Sequence, residues 1–137
     1  MLGEGSAMFV LERKSDAINR GAKIYAEVMG YAIGNEAHHE TAPDPTGEAA
    51  KRVMKLAIDN SNLTPEDIDY VNMHGTATQA NDHMELAAVH NLFKEKIKKI
   101  HVSSTKSMIG HALGAAGSLE LAATILGMKR NIILPTI

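Results

Sequence analysis

The chain has 137 residues, of which 45% are hydrophobic and 22% are charged, so it can bury a core. Its 14 Lys and Arg residues nearly balance 16 Asp and Glu residues, which argues against nucleic-acid binding through phosphate contacts. Cysteine is absent, which excludes disulfides, thiolate metal sites and a cysteine nucleophile on this chain. Because we identify neither a secretory signal nor a membrane span, we expect a soluble, cytoplasmic protein with no membrane partner.

The first half of the chain predicts two strands and two helices. Ala7–Leu11 is a short apolar run typical of a buried strand, and Ser15 is expected to cap the short helix that follows. Ile24–Met29 alternates weakly and predicts a second strand. The loop Asn35–Gly47 contains prolines and a histidine pair, and Thr46 is expected to start a helix of roughly a dozen residues.

The second half repeats this alternation. Thr64–Asp67 has the capping-box pattern of a helix start. The strand candidates Ile68–Met73 and Ile100–Thr105 each run into a polar motif and then a helix, the second from about Gly114 to Lys129. Four strands alternating with four helices predict a layered α/β fold, in which chemistry lies just beyond the carboxyl ends of the strands.

The first polar motif is His74-Gly75-Thr76-Ala77-Thr78. Gly75 allows the backbone to turn without a Cβ clash. The hydroxyls of Thr76 and Thr78 lie two residues apart and can face one side of an extended loop, where they could bind the amides of a ligand. The alternative is a simple turn in which a threonine caps the following helix.

The second polar motif is Lys106–His111. Glu120 lies in the otherwise apolar helix that follows, and a buried carboxylate needs a partner. Lys106 is the nearest cation in sequence, so we predict an ion pair between the two, with a solvent-facing Glu120 as the alternative. His111 could converge with His74 on one ligand atom and stabilise a developing oxyanion, unless each histidine makes only a structural hydrogen bond.

The remaining histidines and a lysine cluster give weaker indications of function than the two polar motifs. His83 and His90 share a helix face but lack a third ligand at suitable spacing, so we expect no metal site. His38-His39 could line the entrance to a site. Lys94–Lys99 contains four lysines and is expected to be a solvated helix end, although it could also attract an acidic partner.

Ten short sequence pieces occur in an order and spacing that resemble one family. They are Gly3-Glu4-Gly5, Arg20-Gly21-Ala22, Thr41-Ala42-Pro43, Ile68–Asn72, His74–Thr78, Asn81-Asp82 with Glu85, Ser103–Ser107, Gly110-His111, Gly114–Gly117 with Glu120, and Pro135-Thr136. The chain thus resembles the C-terminal part of the β-ketoacyl-acyl-carrier-protein synthases, which condense acyl units in fatty-acid and polyketide synthesis. The loop His39–Pro43 is more similar to the type II elongating enzymes than to modular ones, and a second histidine instead of asparagine points away from the initiating type III enzymes.

This resemblance implies a thiolase-like α/β fold, a layered mixed sheet with helices. Residues 1–137 would form its C-terminal half, incomplete at both ends. The implied enzyme is a dimeric acyltransferase that loads an acyl group onto a cysteine, decarboxylates malonyl-acyl-carrier protein and performs a Claisen condensation in fatty-acid elongation. No cofactor is implied beyond the phosphopantetheine of the acyl carrier protein, which carries the substrates.

The resemblance also implies roles for individual residues. His74 and His111 would stabilise the enolate or thioester oxygen. Lys106 and Glu120 would hold the second motif in place, and they would belong with the two histidines to the catalytic residues. The substrate-binding residues would be Thr76 and Thr78 on the pantetheine arm, with Thr41 and His39 near the same channel.

The chain departs from the family in one large respect. The nucleophilic cysteine of the family belongs to its N-terminal half, and this chain has no cysteine. We therefore expect the acyl carrier protein and a cysteine-bearing N-terminal half as partners, and no condensing activity from this chain alone. The alternatives are a malonyl decarboxylase-like or chain-length-factor-like subunit, or a non-catalytic interaction module or remnant.

Overall fold

The computed structural model describes residues 1–137, which form a mixed arrangement of helices around a short sheet. Its helices and strands, in chain order, are α1 (Lys14–Asn19), α2 (Glu48–Asn60), β1 (Tyr70–Asn72), α3 (Gln79–Phe93), β2 (His101–Ser103), α4 (Lys106–Ile109) and α5 (Ala116–Arg130). Short 3-10 turns occur at Pro65–Asp67, Lys94–Lys98 and Leu113–Ala115. The predicted α/β class is confirmed.

The sheet consists of β1 and β2, which pair in parallel. Tyr70 lies opposite His101 and Asn72 lies opposite Ser103. Helix α3 makes the crossover between them, as a parallel pair requires. Both polar motifs predicted from the sequence therefore begin where the two strands end, at one edge of the sheet.

The core lies between the sheet and the helices α2 and α3. Its buried members are Ile58, Met73, Val89, Leu92, Phe93 and Ile100. Helix α3 supplies three of these residues from one face, as its helical spacing predicts, whereas Leu86 on the same helix is exposed. Val71 and Val102, one from each strand, pack against this cluster, so the core holds one face of the sheet.

The two strands predicted in the first quarter of the chain are wrong. Neither Ala7–Leu11 nor Ile24–Met29 forms a hydrogen-bonded strand. Their apolar side chains stay largely in solvent, with Val10 exposed to 90% and Val28 to 68%. A strand exists only when another strand accepts its hydrogen bonds, and no segment of this chain pairs with either run.

The structure also corrects two helix starts. Helix α1 begins after Arg13, so Ser15 lies inside it and does not cap it. Helix α2 begins at Glu48, after Gly47 in a left-handed conformation with φ of 68°. Thr46 still contributes to this start, because its hydroxyl accepts a hydrogen bond from the backbone N–H of Glu48 at 3.4 Å.

The chain exposes more surface than a compact protein of its size. Its accessible surface is 9668 Å², whereas a compact monomer of 14.7 kDa exposes about 6,900 Å². Large apolar side chains of the first 33 residues contribute to the excess, among them Val10, Val28 and Ile33. None of the helices has both the length and the apolar composition needed to cross a bilayer.

Thr64 and Asp67 close a 3-10 turn instead of starting a helix. The backbone N–H and the hydroxyl of Thr64 donate to Asp67 Oδ2 at 2.8 and 2.7 Å. The pKa of the Asp67 carboxyl is held below its ordinary value of 3.8. The largest cause is the hydrogen bond from the Thr64 hydroxyl, followed by the bond from the Thr64 backbone N–H and the charge of Lys96. The ionised carboxylate therefore stabilises the fold above the ordinary carboxyl range, and this stabilisation is lost as the pH falls through the lowered pKa.

We expect Asp67→Asn to lower the thermal unfolding midpoint of the chain at neutral pH. The difference from the unaltered chain should shrink as the pH falls through the lowered pKa, because the Asp67 carboxyl then becomes protonated in the folded as well as the unfolded chain. Circular dichroism across this pH range measures it, with Asp69→Asn, a change at a nearby exposed carboxyl, as the control. A deficit that persists at acid pH would contradict this account.

Candidate active site

Two imidazoles meet beyond the carboxyl ends of β1 and β2. His74 follows β1 by two residues, and His111 follows the short helix α4 after β2. Their ring centroids lie 5.2 Å apart with the ring planes nearly perpendicular, at 89°. The structure thus brings together the two histidines that the sequence places in separate motifs, and both can face a single small group.

The turn after His74 depends on Gly75. This residue has a φ of +50°, and a Cβ at its position would lie 2.4 Å from the Cβ of Ser104. Any side chain would therefore push the two strand ends apart. It would also strain the backbone, because this φ is unfavourable for residues other than glycine. The close approach of Gly75 to Ser104 packs the first motif directly against the residue that follows β2, just before the second motif.

Glu85 on α3 holds the same turn from the other side. Its carboxylate accepts the backbone N–H groups of His74 at 2.6 Å and Gly75 at 2.7 Å, and the side-chain amide of Asn81 at 2.8 Å. Three donors satisfy the negative charge without a cation. This role of Glu85 could not be predicted from the sequence, because a carboxylate that binds backbone amides ten and eleven residues earlier has no sequence signature.

His111 is fixed in both its backbone and its ring. Its N–H donates to the carbonyl of Met1, and its carbonyl accepts from Gly3, each at 3.1 Å. Its Nδ1 accepts the backbone N–H of Leu113 at 3.1 Å, so in the neutral ring the proton lies on Nε2. Gly110 allows this arrangement, since a Cβ there would lie 2.9 Å from the Cα of Gly3.

The ion pair predicted between Lys106 and Glu120 is present. Lys106 Nζ donates to Glu120 Oε1, and the two side chains are only 4% and 12% exposed. The second carboxylate oxygen, Oε2, accepts from Asn72 Nδ2 at 3.1 Å. The pair joins the start of α4, which is also the start of the second motif, to the helix α5.

The threonine pair and the proline-rich loop occupy separate positions. Thr76 Oγ1 and Thr78 Oγ1 lie 3.2 Å apart, so the two hydroxyls face each other, and Thr78 precedes α3 without capping it through its side chain. In the loop, His39 Nδ1 accepts the backbone N–H groups of Thr41 and Ala42 at 3.1 and 3.3 Å. No hydrogen bond joins this loop to His74 or His111.

The other histidines and the lysine cluster lie apart from this site. His83 and His90 are exposed on α3, and no three His, Asp or Glu side chains converge as metal ligands. Lys94–Lys99 immediately precedes β2, so this cluster lies at the opposite end of the strand from the motif with His111.

We expect Glu120→Ala to lower the free energy of unfolding by about 3–5 kcal/mol, because it leaves the Lys106 ammonium buried without a partner. The double variant Lys106→Met/Glu120→Leu should recover most of this loss, since it removes both charges. Denaturant unfolding measures both changes. Asp59→Ala, which breaks the exposed Lys55–Asp59 pair, is the control and should cost less than about 1 kcal/mol. A Glu120→Ala loss as small as this control would contradict burial of the pair.

We expect Glu85→Gln to loosen the turn at His74 locally. The replacement keeps the shape but weakens two hydrogen bonds to a charged acceptor, each worth about 1.5–3 kcal/mol. Amide hydrogen exchange should therefore accelerate at His74 and Gly75 with little change in the core of α3. Glu95→Gln, which alters an exposed pair with Lys98, is the matched control. Unchanged protection of the two amides would show that the carboxylate does not hold the turn.

Several known proteins are similar to this chain in sequence. Residues 25–137 match the family described as "Beta-ketoacyl synthase, C-terminal domain". Two proteins named 3-oxoacyl-[acyl-carrier-protein] synthase 2 align with all 137 residues, one from Staphylococcus aureus at 45% identity and one from Rhizobium meliloti at 48%. The aligned region makes up 34% and 32% of those proteins, so the chain spans about a third of the length of these relatives.

A solved structure carries the same fold. It contains a type II polyketide synthase acyl-carrier protein in complex with its ketosynthase, and the match has a TM-score of 0.87 and 36% identity. The match covers 91% of this chain and 31% of that chain. The thiolase-like fold implied by the resemblance is confirmed. The chain belongs to the family of β-ketoacyl synthase C-terminal domains.

Proposed function

We propose that this chain is part of the C-terminal half of an elongating 3-oxoacyl-acyl-carrier-protein synthase, an acyltransferase that condenses acyl thioesters with malonyl-acyl-carrier protein in fatty-acid elongation. The observation that carries the proposal is the pair of imidazoles, with centroids 5.2 Å apart, beyond two parallel strand ends. The relatives named 3-oxoacyl-[acyl-carrier-protein] synthase 2 support the same reaction.

The two histidines suit the decarboxylation step. When the carbon–carbon bond to the malonyl carboxylate breaks, carbon dioxide leaves and the electron pair becomes an enolate whose charge lies on the thioester oxygen. The Nε2–H of His111 is available to donate to this oxygen, because Nδ1 is already occupied as an acceptor. A second donor from His74 on the neighbouring strand end would share the charge.

The remaining site residues would bind the substrate arm or support the histidines. Thr76 and Thr78 present adjacent hydroxyls that could bind the amides of the pantetheine arm. Thr41 and His39 would lie along the same channel. Lys106 and Glu120, both largely buried, would hold the second motif and not contact the arm.

The proposal requires a second polypeptide portion and a carrier. The chain has no cysteine, so the nucleophile that accepts the acyl group must come from an N-terminal portion. The excess exposed apolar surface is consistent with a partner of that kind. The solved ketosynthase complex contains an acyl-carrier protein, which supports a carrier partner here. We further propose that the assembled enzyme is cytoplasmic and forms a homodimer. Sedimentation of the assembled protein would test the homodimer.

The test is a chimera in which this chain replaces the aligned region of the Staphylococcus aureus relative. The rest of that relative then supplies the flanking portions and the cysteine. We expect this chimera to decarboxylate malonyl-acyl-carrier protein and to form a 3-oxoacyl product that mass spectrometry of the carrier detects. A chimera with native circular dichroism and sedimentation but without turnover would overturn the proposal.

In the active chimera, His74→Ala and His111→Ala should each lower kcat for decarboxylation by roughly 10²–10³-fold, since each removes one donor to the developing oxyanion. His83→Ala and His90→Ala change exposed histidines on α3 and serve as matched controls with unchanged turnover. Equal effects of all four variants would show that the imidazole pair does not carry the reaction.

A further inference from the structure

The face of the sheet that points away from the core is polar. Tyr70 and Asn72 share this face because they are two residues apart in a strand, and Ser103 lies opposite Asn72 on β2. Ser103 Oγ donates to the carbonyl of Leu134 at 2.6 Å, so its single proton is used and it accepts from the Tyr70 hydroxyl at 2.9 Å. The hydroxyl of Tyr70 also lies 3.3 Å from Asn72 Oδ1.

Asn72 ends this polar row at the buried ion pair. An ionised carboxylate only accepts hydrogen bonds, so the amide nitrogen of Asn72 must face Glu120, and Nδ2 donates to Oε2 at 3.1 Å. The other oxygen of the same carboxylate, Oε1, accepts from Lys106. Glu120 therefore binds two donors from two different segments, β1 and α4, with one oxygen for each.

These two segments are the ones that lead directly into the two histidines of the candidate site. Asn72 precedes His74 by two residues, and Lys106 precedes His111 by five. The carboxylate of Glu120 is thus a side-chain bridge between the two motifs. Without the Asn72 bond, the carboxylate would still pair with Lys106 but would no longer fix β1 relative to α4.

We propose that Asn72 is a positioning residue: by donating to Glu120, it sets the separation of the His74 and His111 rings. It touches neither imidazole and need not touch substrate. The effect of Asn72 on catalysis rests on the proposed function. The sequence motifs assign Asn72 no role of its own. A merely structural asparagine would affect stability only.

The test uses Asn72→Asp and Asn72→Ala in the active chimera. The introduced carboxyl would face Glu120 and, through it, Lys106, with the Tyr70 hydroxyl on its other side; these are the titratable groups around it. When protonated, it can donate to Glu120 as the amide does. When ionised, it repels Glu120 and competes for Lys106. We therefore expect kcat of Asn72→Asp to fall with rising pH, through an ionisation that the parent lacks.

At neutral pH we expect roughly tenfold lower kcat for decarboxylation in both variants, with KM for malonyl-acyl-carrier protein changed by less than about twofold. Asn72→Ala should show this loss at every pH, because it introduces no ionisable group. Asn91→Asp makes the same atomic change on the exposed surface of α3 and should match the parent. Rates are expressed per molecule of natively folded enzyme.

The inference is overturned if both variants keep the parental kcat and lose only thermal stability, or if Asn72→Asp shows the parental pH profile. Should Asn72→Asp fail to fold, Asn72→Ala alone decides through its kcat and KM. An inactive parent chimera would refute the proposed function instead, because the Asn72 comparison begins only from an active parent. The two failures are thereby distinguishable.

Discussion

The parallel pairing of β1 with β2 brings the two histidine motifs of the candidate site to one edge of the sheet. Because the strands run in the same direction, their carboxyl ends meet at one edge, and the loops that follow them share that edge. A slip of one residue in either strand would turn the valine of that strand, Val71 or Val102, out of the core and bring its polar neighbours into it. The register is therefore enforced from both faces, by apolar packing on one and by the hydrogen bonds of Tyr70 and Ser103 on the other.

A sheet of two three-residue strands is too short to fix its loops alone, and two carboxylates supplement it. Glu85 binds the turn at His74 through backbone amides, and Glu120 binds the second motif through Lys106. Each negative charge is matched by donors, as partial burial requires. The two carboxylates act differently: Glu85 constrains one turn, whereas Glu120 is shared between both motifs.

Much of the site could be predicted because its parts are local in sequence. Strand-end motifs with Gly75 and a lone acid such as Glu120 in an apolar helix are visible without a structure, and both led to correct expectations about geometry. The contribution of Glu85 could not be predicted, since it depends on backbone amides brought near by the fold.

The long helices could be predicted for a related reason, and the early strands could not. Helices α2 and α3 satisfy their own backbone hydrogen bonds, so an apolar periodicity is enough to indicate them. Strands at Ala7–Leu11 and Ile24–Met29 require a partner, and apolar composition says nothing about whether the same chain supplies one. The exposed apolar residues of these segments mark where sequence pattern and structure disagree.

The two imidazoles are constrained at different atoms, which bears on how the proposed site would work. The ring of His111 is fixed through Nδ1, so its donor is defined before any ligand arrives. The ring of His74 makes no hydrogen bond, although its backbone N–H is held by Glu85. A ligand oxygen that accepts from His111 would then select the tautomer of His74 that donates to the same oxygen. In the proposed reaction the fixed histidine would define where charge develops, and the adjustable one would complete the pair only when an acceptor is present.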